Sequence, residues 1–165
     1  MLNKLNIIID NREQTPWSFP EHAAVVQWGT LSAGDYALAG DSQFAIERKS
    51  LDDFLGTISS GWKRFLNELD RMAKAGFCAR IIIVEGDFKR CCFVEDADGK
   101  ITPPLHNHFL LTPQFICSRI AELSISGVQV LFAGSPDYAA ALAISIFRHR
   151  QMRLLNGTDA NTCKG

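Results

Sequence analysis

Two acidic residues and a lysine lie on either side of a predicted tight turn, at a spacing that could bring them together. The stretches flanking Asp41 alternate in a two-residue period, and the Gly-Asp-Ser sequence between them is typical of a β-hairpin turn. A hairpin centred on Asp41 places Asp35 opposite Glu47, with Cβ atoms about 4.5 to 5.5 Å apart. Because side chains alternate along a strand, Lys49 shares the face of Glu47. The pattern therefore predicts a cluster of two carboxylates and one ammonium group.

Such a cluster indicates metal-dependent hydrolysis of phosphodiesters. Directly opposed carboxylates repel each other unless a proton or a cation lies between them. Oxygen ligands suit Mg²⁺ or Mn²⁺, which add water and substrate phosphate to one or two carboxylates. Lys49 could then orient the attacking water or neutralise charge in the transition state. A second interpretation is equally open: Asp35 lies in a turn, and Glu47 and Lys49 form an exposed ion pair that contributes little.

The elements that must position this cluster alternate between strands and helices. Apolar runs predict strands at 5–9, 25–28, 80–84, 91–94 and 128–132. Periodicity, capping residues and helix-stop signals predict helices that begin at Leu51 and that span 62–75, 113–126 and 136–155. Together these elements predict an α/β, three-layer domain with a mixed central sheet flanked by helices.

The two faces of the hairpin differ in the size of their side chains. Tyr36 and Ile46 belong to the face that we expect to join the core. Ala37 and Ala45 lie on the other face, beside the predicted carboxylates. The small alanines predict a shallow, open site on that face. A slip of one residue in the hairpin register would move Glu47 to the wrong face.

Length and composition favour one globular domain. The 165 residues are 47% hydrophobic and 21% charged, and we assign 1–155 to the domain and 156–165 to a flexible tail. The net charge of -1 does not indicate a general affinity for nucleic acid, so any phosphate-binding surface must come from a local cluster of basic residues. No apolar run is long enough for a membrane span, no signal peptide is evident, and the five cysteines show no CxxC spacing. We expect a cytoplasmic protein with reduced thiols.

The residues around the hairpin resemble a nuclease signature. Gly34-Asp35-Tyr36, followed by Glu47-Arg48-Lys49 and Asp53, closely resembles the GDx(n)ERKxxxD motif of the XPF-type structure-specific nucleases. That family belongs to the restriction-endonuclease-like PD-(D/E)xK group. The stretch from Asp10 to Glu13 is similar to the family's D-x-R-E element. The resemblance covers residues 5–86 in motifs, and the rest of the chain in the order of its elements.

The resemblance implies a role for each matching residue. It implies catalytic roles for Asp35, Glu47, Lys49, Asp10, Glu13 and Asp53. Of these, Asp35, Glu47 and Asp10, together with the backbone carbonyl of Arg48, would hold Mg²⁺ or Mn²⁺. Two residues keep a structural alternative: Asp53 fits a capping box with Ser50, and Asp10 could merely end a strand.

The function that the resemblance implies is cleavage of DNA in duplex, branched, fork or flap form, in repair or recombination. We predict DNA contacts at Arg12, Arg48, Lys63 and Arg64, although Arg48 could form a structural ion pair and the last two could belong to a solvated helix face. The alternatives are a non-catalytic DNA-binding or scaffolding subunit and, third, a small-molecule phosphohydrolase. The chain has no room after Leu155 for the family's tandem helix-hairpin-helix module, so a homodimer or a partner that supplies this module is expected.

Three other motifs are interpreted as having no catalytic or metal-binding role. The residues His106-Asn107-His108 match the letters of the motif of another nuclease class, but the surrounding sequence lacks the two strands and the helix of that class. The Asp96 to Gly99 segment resembles a calcium loop without its final glutamate, so a turn is expected. Cys91 and Cys92, which are adjacent, would chelate one zinc ion poorly.

Overall fold

A six-stranded mixed sheet forms the centre of the protein. The computed structural model describes residues 3–157, so the predicted tail lies outside the described residues from residue 158 onward. The strands of the sheet are β1 (Leu5–Asp10), β2 (Ala24–Gly29), β3 (Tyr36–Leu38), β4 (Phe44–Ser50), β5 (Ala79–Glu85) and β10 (Val128–Phe132). They lie in the order β10-β5-β4-β3-β1-β2. Because β3 runs antiparallel to both neighbours and the other pairs are parallel, the prediction of a mixed sheet is confirmed.

Helices cover both faces of this sheet. They are α1 (Leu51–Ile58), α2 (Trp62–Lys74), α3 (Phe88–Cys92), α4 (Pro113–Ile125) and α5 (Pro136–Leu155). Helix α5 packs through Ala143 and Phe147 on one face, against a core that includes Tyr36 and Ile46. Helices α1 to α4 pack on the opposite face, around a second core that includes Ile82. The predicted three-layer α/β architecture is therefore confirmed.

Four short strands make two small hairpins outside the main sheet. Strands β6 (Val94–Glu95) and β7 (Ile101–Thr102) form one, and β8 (Leu105–His106) and β9 (Phe109–Leu110) form the other. The turn predicted at Asp96 is present, since its side chain accepts the backbone N–H groups of Asp98 and Lys100. None of the helices within residues 3–157 is long and apolar enough to cross a membrane.

Two expectations about local structure were wrong. The segment predicted as a strand at 91–94 begins with the last two residues of helix α3 and has only Val94 in a strand, because the Asp87 side chain accepts the Arg90 N–H at 2.8 Å and caps a helical turn there. The hairpin face of Ala37 and Ala45 is not open, since both residues are buried. Phe77 and the loop before β3 line a cavity with these alanines. On this face the side chains of Asp35 and Glu47, at the end of the hairpin away from its turn, remain partly accessible.

Candidate active site

The strand directions bring one acidic residue from each of several strands to the same edge of the sheet. Asp10 ends β1, and its backbone N–H donates to the Asp35 carbonyl at 2.8 Å. Tyr36 of β3 pairs with Ile46 of β4 in the antiparallel register. One residue further along, the same register places Asp35 opposite Glu47. The predicted register is therefore confirmed. Since β3 is antiparallel to β1 and β4, its beginning meets their carboxyl ends, and the charged residues gather there.

Gly34 allows the close approach of the two hairpin strands at this edge. Its φ of +72° lies in the left-handed region, and a Cβ built on it would lie 2.8 Å from the Cβ of Ala45. The backbone N–H of Asp35, the next residue, donates to the Ile46 carbonyl at 2.9 Å. Only glycine meets both requirements without displacing the neighbouring strand. Gly34 therefore fixes where Asp35 enters the site.

Asp35 is held by the strand opposite and is poorly solvated. Its Oδ2 accepts the backbone N–H of Arg48 at 2.7 Å. Burial, and next the neighbouring carboxylate of Glu47, raise the pKa of Asp35 to about 7. The hydrogen bond from Arg48 and the charge of Lys49 oppose this rise without cancelling it. Asp35 therefore resists ionisation until a positive charge lies beside the two carboxylates.

Glu47 and Lys49 form a partly buried ion pair on one face of β4. Lys49 Nζ lies 2.7 Å from Glu47 Oε1, and the two side chains are 16% and 25% exposed. The Lys49 ammonium also lies 6.0 Å from the ring centroid of Phe65 in α2. The ion pair that the alternative interpretation required is present, but it is not fully exposed and it lies beside Asp35. The predicted cluster of two carboxylates and one ammonium group is therefore present.

The cluster opens into a cavity of about 440 Å³ between the sheet edge and α2. Asp35 and Glu47 line it on the sheet side, and Arg12 lines its rim. Glu68 and Arg71 of α2 line the opposite side, and the sequence alone had not singled them out. Because Glu68 and Arg71 are one helical turn apart, they lie on the same face of α2. Only the tertiary structure shows that this face lies opposite the carboxylates of Asp35 and Glu47.

The donor set of this edge fits a hard divalent cation. Asp35 and Glu47 supply carboxylate oxygens, which Mg²⁺ and Mn²⁺ prefer. The N–H of Arg48 points at Asp35, and the N–H and C=O of a strand residue point to the same side. The Arg48 carbonyl therefore also points toward the Asp35 edge. Within residues 3–157 no group of three or more His, Cys, Asp and Glu side chains is arranged to hold a metal ion, so water and substrate would have to complete the coordination shell of a bound ion.

Asp10 lies at the same edge, but its carboxylate is engaged by its own loop. Oδ1 accepts the Arg12 backbone N–H at 2.8 Å and Nε at 2.6 Å, while Oδ2 accepts Arg12 Nη2 and the Leu31 N–H. The hydrogen bond from the Arg12 side chain is the largest cause that lowers the pKa of Asp10 to about 2. The Arg12 side chain remains 71% exposed. In this arrangement Asp10 holds Arg12 at the cavity rim rather than facing the carboxylates with a free oxygen.

Arg48 and Glu13 belong to an ion-pair network on the other face of β4. Arg48 donates through Nε and Nη2 to both carboxylate oxygens of Glu85 at 2.7 Å, and its Nη1 lies 3.4 Å from Glu13. The Trp17 indole N–H also donates to Glu85, at 2.6 Å. The Arg48 side chain therefore forms the structural ion pair that was the alternative to a DNA contact. Glu85 was missed as a site residue, although it ends a buried apolar strand as Asp10 does.

The remaining predicted residues lie in α1 and α2. Asp53 is exposed and accepts the Ser50 hydroxyl at 2.7 Å, while its N–H donates back to Ser50, so its capping role is present. Lys63 and Arg64 lie in the first turn of α2. Arg64 and Asp53 line a cavity that also contains Lys49, whereas Lys63 does not line it. The structure thus brings Arg64 and Asp53 beside the cluster and leaves Lys63 outside that cavity.

The comparisons with known proteins agree with this fold. The ERCC4 domain profile matches residues 9–145. Among solved structures, XPF from Aeropyrum pernix superposes with a TM-score of 0.62 at 21% identity, over 88% of this chain and 61% of that one. A second structure, XPF from Aeropyrum pernix in complex with DNA, gives 0.64 at 21% identity, over 91% of this chain and 66% of that one. A search of curated proteins found no significant match. The chain spans less than two thirds of the solved structures that it resembles.

Proposed function

The chain belongs to the ERCC4 domain family and has the XPF-type nuclease fold, and from this premise we propose that it is a metal-dependent DNA endonuclease. The observation that carries the proposal is the pairing of Asp35 with Glu47 beside Lys49 at an accessible edge. Burial and mutual repulsion make this pairing unfavourable without a bound cation, so it has little value as a purely structural feature. The solved relative in complex with DNA supports DNA as the substrate class.

Asp35, Glu47 and the Arg48 carbonyl would hold Mg²⁺ or Mn²⁺. When bound, such an ion supplies charge stabilisation of the phosphoryl oxygens and lowers the pKa of coordinated water. The protein keeps the site ready through three contacts: the Arg48 N–H orients Asp35, Lys49 orients Glu47, and Glu85 fixes the Arg48 side chain. The first two contacts hold the ligand carboxylates in place before substrate arrives, and the third anchors the residue whose backbone carbonyl would be a further ligand.

Lys49 and Arg12 provide positive charge to the reaction. The Lys49 ammonium is within hydrogen-bond reach of the carboxylate cluster and can stabilise negative charge as the phosphate becomes pentavalent. Arg12, held by Asp10 at the rim of the cavity, is exposed and can bind a backbone phosphate. Arg64 is placed to bind a neighbouring phosphate beside Lys49.

Cleavage of labelled duplex, fork and flap DNA tests this proposal. We expect the wild-type protein to cleave with Mg²⁺ or Mn²⁺ and not with Ca²⁺. Asp35→Asn and Lys49→Ala should each lose cleavage by at least about 100-fold while retaining DNA binding, because each removes one part of the cluster. Lys100→Ala is the matched control for Lys49→Ala, since Lys100 is an exposed lysine in the turn between β6 and β7, outside the cavity. Binding without cleavage by the wild type would instead indicate the non-catalytic subunit.

Four further properties belong to the same proposal. A preference for branched, fork or flap DNA, a role in repair or recombination, and a cytoplasmic location all follow from the sequence resemblance or composition and await measurement. The same holds for a homodimer or for a partner that supplies a helix-hairpin-helix module. Cleavage of oligonucleotides but not of mononucleotides would separate the nuclease from a small-molecule phosphohydrolase.

A further inference from the structure

A polar cavity leads away from Lys49 toward the β8–β9 hairpin. It has a volume of about 360 Å³, and Lys49, Asp53 and Arg64 line it on the side of the catalytic cluster. Ser60 and His106 line its far side. Three positive side chains line this cavity, those of Arg48, Lys49 and Arg64, against the two carboxylates of Asp52 and Asp53. A phosphate that neighbours the scissile one can therefore lie here without leaving the catalytic edge.

A second space, which we call the aromatic cavity, adjoins the polar cavity. It has a volume of about 540 Å³ and shares Ser60 and His106 with the polar cavity. Phe109, Phe115 and Arg119 line its other side. Among residues 3–157, no Asp or Glu lines this space. Its chemistry therefore suits a flat, uncharged aromatic group that is attached to a phosphate.

Arg119 supplies a flat cationic surface in the aromatic cavity. Its guanidinium carbon lies 4.3 Å from the ring centroid of Trp62 and 5.1 Å from that of Phe115. One of its nitrogens donates to Glu122 at 3.2 Å, while its Nε is buried without a hydrogen-bond acceptor in the described part of the chain. The two rings hold the guanidinium plane in place between α2 and α4. Stacked arginine planes and aromatic rings are the groups on which unpaired bases stack.

The β8–β9 hairpin is fixed in place and yet presents an exposed aromatic ring. Asn107 and His108 form its two-residue turn with φ values of +48° and +67°, as expected for a type I′ turn. Asn107 Nδ2 donates to Ser60 Oγ at 3.3 Å, which ties the turn to the end of α1. A Cβ at Gly56 would lie 3.1 Å from the His106 ring, so the hairpin packs closely on α1. Phe109 is nevertheless 71% exposed.

We propose that the aromatic cavity binds an unpaired nucleobase of the DNA strand that is cut, one or two nucleotides from the scissile phosphate. The base stacks on Phe109 and Arg119, and the phosphate between this base and the scissile position lies at Arg64. The proposal rests on the proposed nuclease function and adds to it a base-binding subsite. His106, from the His106-Asn107-His108 segment that sequence reasoning set aside, lines both cavities and would separate the phosphate from the base.

Fluorescence of 2-aminopurine tests the subsite without any need for cleavage. Fork DNA with a single 2-aminopurine at successive positions on each side of the cut is titrated with the full chain in Ca²⁺. We expect a change in fluorescence at one or two adjacent positions on one side only, because stacking alters the emission of the base at the subsite. Phe109→Ala should abolish that change and raise Kd about tenfold. Arg119→Lys, which keeps the charge but loses the plane, should reduce the change.

Two controls separate a base contact from a general loss of structure. Ile125→Ala removes an apolar side chain that is 90% exposed at the far end of α4, and it should alter neither signal nor affinity. Replacing the base at the responsive position by an abasic site should weaken binding by the wild type about tenfold and leave binding by Phe109→Ala unchanged. This coupling would not arise if Phe109 merely stabilised the hairpin.

The outcomes distinguish this proposal from the function on which it rests. If the wild type cleaves DNA while Phe109→Ala keeps its affinity and its fluorescence change, the base-binding subsite is refuted and the nuclease stands. That result would indicate that the exposed apolar side chains of the β8–β9 hairpin contact a protein partner instead of a base. If the wild type binds no DNA in any form, both the subsite and the proposed function are refuted.

Discussion

Replacing Asp35 by asparagine should change how the stability of the metal-free protein depends on pH. Folding raises the pKa of Asp35 from 3.8 to about 7 through burial and the Glu47 charge. Below about pH 4 the residue is protonated in both states, whereas between about pH 4 and 7 only the unfolded state ionises readily. Wild-type stability therefore falls as pH rises through this window, and the loss is complete above about pH 7. An asparagine side chain does not titrate, so the Asp35→Asn variant lacks this loss.

The size of the effect follows from the shift. A rise of about three units corresponds to at most about 4 kcal/mol. Partial exposure of the side chain and its coupling to Glu47 reduce the expected change to about 1 to 2 kcal/mol. The asparagine side chain can still accept the Arg48 N–H, so the hydrogen bond is retained.

Urea unfolding in EDTA at about pH 5 and pH 8 measures this difference. The free energy of unfolding of Asp35→Asn, taken relative to the wild type, should increase by about 1 to 2 kcal/mol from pH 5 to pH 8. Asp98→Asn, which alters an exposed turn residue, is the control and should show no such gain. Addition of Mn²⁺ should stabilise the wild type at the higher pH and not the variant, because bound cation stabilises only the folded site. A stability difference that is the same at both pH values would refute the electrostatic account of Asp35.

Three other substitutions test the supports of the site. Gly34→Ala should lower the free energy of unfolding by about 2 to 4 kcal/mol in thermal or urea unfolding, because it combines a positive φ with a Cβ clash. Its control is Gly40→Ala, which has a φ of +85° but open space around it and should lose only about 1 kcal/mol. Glu85→Ala should lower the free energy of unfolding by about 3 kcal/mol, because it leaves Arg48 largely unpaired in a part-buried site. Glu85→Gln should lower it less. Equal stability of Glu85→Ala and the wild type would contradict the role of this ion-pair network. Arg12→Ala should weaken DNA binding and reduce the slope of log K against log salt by about 1 in filter-binding titrations, and an unchanged slope would remove Arg12 from the phosphate contacts.

The hairpin and its register could be predicted because they depend on local information. The two-residue alternation around the turn at Asp41 determines which residues face each other, and the structure places Tyr36 opposite Ile46 as that alternation requires. The strand that ends at Asp10 was equally predictable from its apolar run. Both features lie within short stretches of chain, where pattern and turn chemistry act together.

The ion-pair network behind the site could not be predicted in the same way. Glu85 meets Arg48 across 37 residues and Trp17 across 68, and no local period links these positions. The buried pair between Asp41 and Arg150 joins the hairpin turn to α5 across 109 residues. Such contacts depend on how layers pack, which composition and periodicity do not encode.

Helix α3 and the open hairpin face show two further limits. The apolar letters of residues 91–94 favour a strand, but the Asp87 cap and burial against α4 stabilise a short helix instead. The small residues Ala37 and Ala45 indicated an open face, yet small side chains also allow close packing, and both residues are buried beside a cavity that Phe77 lines. In both cases tertiary packing outweighed a correct local observation.

Crystals grown with Mn²⁺, measured at the manganese absorption edge, test the central claim most directly. We predict an anomalous peak between the carboxylates of Asp35 and Glu47 and the Arg48 carbonyl, at about 2.0 to 2.3 Å from each ligand oxygen. The peak should be absent from Asp35→Asn crystals grown in the same conditions. A wild-type map with no peak at this edge, at a manganese concentration that supports cleavage, would contradict the claim that these two acids share a divalent cation.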